Sequence, residues 1–240
     1  MFKTALKLIG LAISLTLIIS LFSAASVILG ASENGTILFQ IAAFLLFALF
    51  LIFYMKKKDP SLKQFGFTSG NVNKKLIAFI ALIVLIQPLF FGINFSLPIS
   101  TLLLIVLQMI LVGFVEETLF RSIFFYYLKG RDPKVYICFS SIVFGILHIA
   151  SGLNPEAAPA LVVLQIINAL LLGGVFSVLY YSTKSIYIVI TFHALFNIFA
   201  SLSAPGSLAQ NLWAVSLLSI SYLVFLIIYP KFRVPAATTL

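Results

Sequence analysis

Six residues in the middle of this 240-residue sequence combine types that can do chemistry together. Glu116 and Glu117 are adjacent, and Arg121 follows on the same stretch. His148 and His193 are the two histidines of the chain, and Asn197 lies about one helical turn beyond His193. A carboxylate can take a proton from water, an imidazole can hold or relay one, and a carboxamide can donate hydrogen bonds to a developing oxyanion. On a helix, Glu117 and Arg121 at i,i+4 share a face with the acid on the N-terminal side, the favourable order for an ion pair. Glu116 sits one position round and has no partner in its own segment.

The setting of these residues is apolar. Hydrophobic residues make up 62% of the chain and charged residues 9%, against about 25% charged in a soluble domain. A soluble globule could not cover that much apolar surface. This excludes a soluble enzyme, a disordered chain and a disulfide scaffold. The expected fold class is all-α: a polytopic integral membrane bundle. The sole cysteine, Cys138, allows neither an internal disulfide nor a zinc-type Cys spacing, and is read as a small buried apolar side chain. A net charge of +9 would raise nucleic acid as a partner in a soluble protein. Here it is read as basic flanks facing anionic lipid, with the bilayer and not nucleic acid as the partner.

Eight apolar segments are long enough to span a bilayer: roughly 7–30, 36–55, 76–95, 101–128, 135–152, 160–181, 185–202 and 211–229. The first is longer than a signal-peptide core and is read as a retained span. Lys3, Lys7, Lys56, Lys57, Lys58, Lys63, Lys74, Lys75, Lys129, Arg131, Lys134, Lys184, Lys231 and Arg233 fall at the two termini and in every second connection. The other connections hold no Lys or Arg, only Glu33 and Glu156. The positive-inside rule then places both termini in the cytoplasm. Tyr54, Tyr126, Tyr127, Tyr136, Tyr180, Tyr181, Tyr187 and Tyr229 fall near cytoplasmic span ends, as an interfacial belt would. The lysine-rich loop 56–75 is read as a topology anchor, with a docking role as the alternative. The tail 234–240 is read as short and unstructured.

One basic residue, Arg121, remains, with Glu116 and Glu117 beside it in the fourth span. Each ionised group at mid-helix costs about 2.5–3.5 kcal/mol on insertion scales, so the three must pair or face a cavity. At 1.5 Å per residue, Glu116 lies about 18 Å from the cytoplasmic end of its span, His148 about 20 Å, His193 about 12 Å and Asn197 about 18 Å. Three helices thus carry their costliest groups to one layer, which is read as one shared polar cavity. Gln87, Gln108, Gln165 and Asn168 are read as interhelical hydrogen-bonding residues.

At these positions the sequence resembles the CPBP intramembrane proteases, a family of CAAX prenyl proteases and bacteriocin-processing or immunity-type proteins. The motifs are Glu116-Glu117-Thr118-Leu119-Phe120-Arg121, Phe144 with His148, and His193 with Asn197. The resemblance covers roughly 105–200, expected as the catalytic core of a single membrane domain over 1–240, with 1–100 and 203–240 supplying additional spans. It implies an intramembrane endopeptidase acting on a membrane-associated protein or peptide, with catalytic roles for the matched glutamate and histidine. It also implies an oxyanion role for the last motif.

Glu116 is expected as the general base on a water held by His148. His193 and Asn197 would donate to the oxyanion, and Arg121 would hold Glu117. Metal-free glutamate chemistry is favoured. The alternative is Zn²⁺ on Glu116, His148 and His193, three ligands with an open water position. Two other readings compete: a proton- or ion-coupled transporter, and a non-catalytic bacteriocin-immunity-type membrane protein.

Overall fold

The computed structural model describes residues 2–153 and 157–229. Glu156, Lys231, Arg233 and the tail 234–240 lie outside the described residues. The helices are α1 (Phe2–Ile28), α2 (Glu33–Lys58), α3 (Lys74–Phe91), α4 (Ile99–Leu128), α5 (Pro133–Leu147), α6 (Pro159–Thr183), α7 (Ile186–Leu202) and α8 (Leu208–Ile228). No β-strand occurs among the described residues. Each apolar segment read from the sequence is one of these helices. Seven are long and apolar enough to cross a membrane, and α7 is a shorter apolar helix of 17 residues. The chain is an all-α, multi-pass integral membrane protein.

Helix ends follow local rules. The Asn73 side chain accepts the Leu76 N–H at the start of α3, and Asp132 with Pro133 opens α5. The centre of the bundle is α6, where Leu172 to Tyr180 form an unbroken buried run. A helix apolar on all sides is buried on all sides when helices surround it. Here α5 and α8 pack along α6, and α7 packs along α4 and α3. Cys138 departs from its expected place: it is exposed on the outside of α5. In a bilayer the outer surface is as apolar as the interior, so hydrophobicity alone cannot assign a residue to either.

The lysine-rich loop after α2 folds back against the bundle. The Asp59 carboxylate accepts the backbone N–H groups of Ser61 and Gln64 at 3.1 and 2.8 Å, which turns the chain back into the bundle. Phe65 is fully buried and stacks on Tyr126 with centroids 4.6 Å apart. Ser122 of α4 donates to the Phe65 carbonyl. Gly66 has φ 81° and its carbonyl accepts the Ile186 N–H at 2.8 Å. A Cβ there would lie 2.5 Å from the Tyr180 ring, so only glycine fits. Tyr136 and Tyr180 are buried as well, with their rings edge-on to Phe125. These two tyrosines close the lysine end of the bundle; they are not part of a lipid-facing belt.

At the opposite end two connections are pinned together. The Asn94 N–H donates to the Leu202 carbonyl at 2.8 Å, and the Ala204 N–H to the Gly92 carbonyl at 3.1 Å. The α3–α4 and α7–α8 connections therefore share one rim.

Candidate active site

The fourth helix changes form where its charges lie. It is α-helical from Ile99 to Glu117, π-helical from Thr118 to Ile123, and α-helical again to Leu128. Such widened turns are rare and cluster at functional sites, because they break the regular hydrogen-bond ladder. In a membrane every displaced carbonyl must find another donor. Helix α5 supplies them: the Ser140 hydroxyl donates to the Phe120 carbonyl at 2.7 Å, and the Tyr136 hydroxyl to the Arg121 carbonyl at 3.4 Å. All six residues of the π-helical stretch are buried.

The side chains on either side of that turn form one chain of contacts. Glu117 and Arg121 are fully buried, and Glu117 Oε2 lies 3.1 Å from Arg121 Nε. The other carboxylate oxygen, Oε1, lies 2.7 Å from Nδ1 of His193. The far side of that imidazole, Nε2, faces Glu116 Oε2 at 3.7 Å. Arg121 also donates to the Gly173 carbonyl at 3.4 Å. Its guanidinium carbon lies 4.3 Å from the Phe144 ring centre and 5.2 Å from that of Phe176. These aromatic faces attract a cation that has left water. The His193 ring stacks on Phe176 at 5.1 Å.

Two glycines allow this convergence. A Cβ at Gly113, one turn before Glu117, would lie 3.1 Å from the Ala194 nitrogen and the Ile190 carbonyl oxygen. Both are backbone atoms of α7 and cannot rotate away, so the absence of a side chain at Gly113 sets how closely His193 approaches Glu117. A Cβ at Gly173 would lie 3.0 Å from the Phe144 ring and 3.3 Å from the Arg121 guanidinium.

His148 stands where α5 tightens into the 3₁₀ turn His148–Leu153. Its Nδ1 donates to the Phe144 carbonyl at 2.8 Å. A carbonyl only accepts, so in the neutral ring the proton is on Nδ1 and Nε2 is an acceptor. Phe144 joins the two histidines, with its ring centre 4.8 Å from that of His148 and 6.0 Å from that of His193.

His148, His193 and Asn197 line one cavity of about 340 Å³. All six residues singled out in the sequence therefore converge: four in the contact chain, and His148 and Asn197 on the wall that His193 shares. Glu116 is not a lining residue; its link to the cavity is His193.

Four carboxamides also line the cavity: Gln87, Gln165, Asn168 and Asn211. The sequence reading placed three of these between helices and passed over Asn211. Asn168 does both, since it also accepts from the Tyr222 hydroxyl at 3.3 Å. Gln108 is an interhelical residue as expected, donating to Gln40.

Among the described residues no three His, Cys, Asp or Glu side chains are grouped to hold a metal ion. Glu116 and His193 approach each other, and Nδ1 of each histidine is engaged, which leaves Nε2 as the nitrogen each ring presents.

Residues 98–199 match the family model described as type II CAAX prenyl endopeptidase Rce1-like. The match spans under half of the chain, from the start of α4 to near the end of α7, and includes all six residues above. No curated protein and no solved structure matches the chain significantly. The family match bears out the resemblance carried by the three motifs. It supports an endopeptidase of the CAAX-protease type whose substrate is a protein or peptide in the membrane.

Proposed function

We propose that this protein hydrolyses a peptide bond of a membrane-associated protein or peptide, with Glu116 as general base. The observation that carries the reading is His193 set between two carboxylates, one of which is fixed by a buried arginine. With Glu117 ionised against Arg121, Nδ1 of His193 donates to Glu117. That leaves Nε2 directed at Glu116. A carboxylate behind an imidazole fixes its tautomer and ring plane, the arrangement used wherever a histidine must act at one nitrogen. The charges also balance: two carboxylates face one guanidinium and an imidazole that becomes cationic when it holds a second proton. A neutral group of four is tolerable at membrane depth where a lone charge is not.

In the proposed reaction Glu116, whose Oε2 lies 3.7 Å from Nε2 of the cavity-lining His193, takes a proton from a water at that wall of the cavity, and the water oxygen forms a bond to the scissile carbonyl carbon. The acceptor Nε2 of His148 orients that water. The oxygen of the tetrahedral intermediate receives hydrogen bonds from protonated His193 and from the Asn197 carboxamide. Glu116 then passes its proton to the leaving nitrogen as the C–N bond breaks. No step passes through a metal ion.

The experiment is a comparison of membrane-protein termini by mass spectrometry in cells with and without the chain. The reading expects termini that appear only with it. Identical sets of termini in both would contradict it.

A further inference from the structure

We infer that the groove between α3 and α8 binds an anionic phospholipid, with the phosphate at Lys74 and Lys75 and an acyl chain along the two helices. The inference goes beyond the protease reading and does not rest on it, since no residue lines both this groove and the cavity of the two histidines.

Shape gives the first argument. The groove encloses about 860 Å³. One wall is the α3 stripe Lys75, Phe79 and Leu82, and the other is the α8 stripe Ile220, Val224 and Ile228. The spacings are i,i+4,i+7 and i,i+4,i+8, so each stripe faces one way along its helix. The floor is aromatic: Phe79 stacks on Phe225 with centroids 4.4 Å apart, and Phe225 on Tyr229 at 4.5 Å. Leu82, Ile220, Val224 and Ile228 remain about half exposed. From Lys75 to Leu82 the groove runs about 10 Å, and from Ile228 to Ile220 about 12 Å. One leaflet of hydrocarbon is about 15 Å deep. The groove thus begins at the helix ends, where headgroups lie, and stops before the bilayer middle.

Charge gives the second argument. Lys74 and Lys75 stand at the mouth, exposed and in no ion pair among the described residues. They open α3, whose first turn carries no acidic residue, so the helix dipole adds to their charge. The lining holds no Asp or Glu. A groove that is apolar along its length and cationic at one end matches a molecule with an anionic head and an apolar tail. A phospholipid standing in the leaflet already holds its phosphate at this height. The chain's own tail is opposed by charge. The sequence after Tyr229 carries Lys231 and Arg233, of the same sign as Lys74 and Lys75.

The test is native mass spectrometry of the full chain in detergent, with phosphatidylglycerol or phosphatidylcholine added. The expected result is retention of phosphatidylglycerol well above phosphatidylcholine. Each lysine near an anionic headgroup contributes about fivefold to binding, so Lys74→Gln with Lys75→Gln should weaken phosphatidylglycerol about 30-fold. Lys56→Gln with Lys57→Gln removes the same charge from the end of α2, outside the groove, and should change binding little. Val224→Trp fills the groove and should displace the lipid with both lysines in place. Unfolding midpoints in lipid-free detergent check the fold of each variant. The lysine variants, at exposed positions, decide alone if Val224→Trp does not fold.

Equal retention of the two lipids, or equal weakening by the two lysine pairs, would overturn the inference. So would a dimer that Val224→Trp dissolves, which would assign the groove to a second copy of the chain. With Cys138→Ser as background, a disulfide between Val224→Cys and Val234→Cys would assign the groove to the tail and overturn the inference as well. None of these readouts depends on cleavage, so failure here leaves the protease reading standing, and loss of that reading leaves the lipid site intact.

Discussion

Nδ1 of His193 lies 2.7 Å from Oε1 of Glu117, although the two residues are 76 positions apart in the chain. Through this contact a residue with no exposure to the cavity governs one that lines it. Glu117 is a positioning residue in this account, and Glu116 is the group that handles the proton.

Glu117→Gln should therefore lower activity without moving the substrate. The neutral amide can present Nε2–H as a donor as well as Oε1 as an acceptor, and it no longer fixes His193 with Nδ1 protonated. The expected loss is roughly 10²–10⁴-fold in kcat, the range of a disabled acid–base group, with KM little changed. A fall confined to KM would show that Glu117 serves binding instead.

Arg121→Lys should destabilise the fold. A lysine cannot reach the Glu117 carboxylate and the Gly173 carbonyl with one planar group, nor lie flat against Phe144. Breaking a buried pair by changing one partner costs about 3–5 kcal/mol. Thermal unfolding in detergent should show a large drop, and the double variant with Glu117→Gln should lose less than the sum of the two. Simple additivity would mean that the pair is not coupled.

Gly113→Ala should cost activity more than stability. The added Cβ meets α7 backbone at 3.1 Å and must push His193 away from Glu117 by some tenths of an ångström. Small displacements at a reacting centre cost up to about 10²-fold. Gly10→Ala is the control, since nothing lies within 4 Å of its Cβ position. Equal activity in the two variants would remove the packing argument.

Ser140→Ala should leave the Phe120 carbonyl without its donor and destabilise the π-helical stretch by about 1–3 kcal/mol. Ser221→Ala removes an exposed hydroxyl bonded within its own helix and should change the unfolding midpoint little. Matching shifts in the two would show that the Ser140 contact has no special weight.

The sequence carried the helix count and the convergence of the six residues, because both follow from cost. Charges are scarce in a membrane, so each one that is not at a span end stands out. The widened turn after Glu117 was not legible, since Thr118 to Ile123 have no residue that forbids a regular helix. The partner of Glu116 was not legible either. Depth arithmetic places His148 and His193 in one layer, but rotation about each helix axis decides which one faces the carboxylates, and that depends on Gly113. The carboxamides Gln165 and Asn168 look the same in sequence whether they bond another helix or line a cavity. Tyr136, read as interfacial, is buried because the π-helical stretch beside it needs a donor.

The central claim is that Glu116 activates the water. The most direct measurement is cleavage of a substrate identified by terminus mapping, using purified full-length protein and its Glu116→Gln variant, with matched unfolding midpoints establishing that both are folded. The account predicts that Glu116→Gln cleaves at least about 100-fold more slowly, and that a chelator leaves the unsubstituted protein's rate unchanged. Cleavage by Glu116→Gln at a rate comparable to the unsubstituted protein would contradict it.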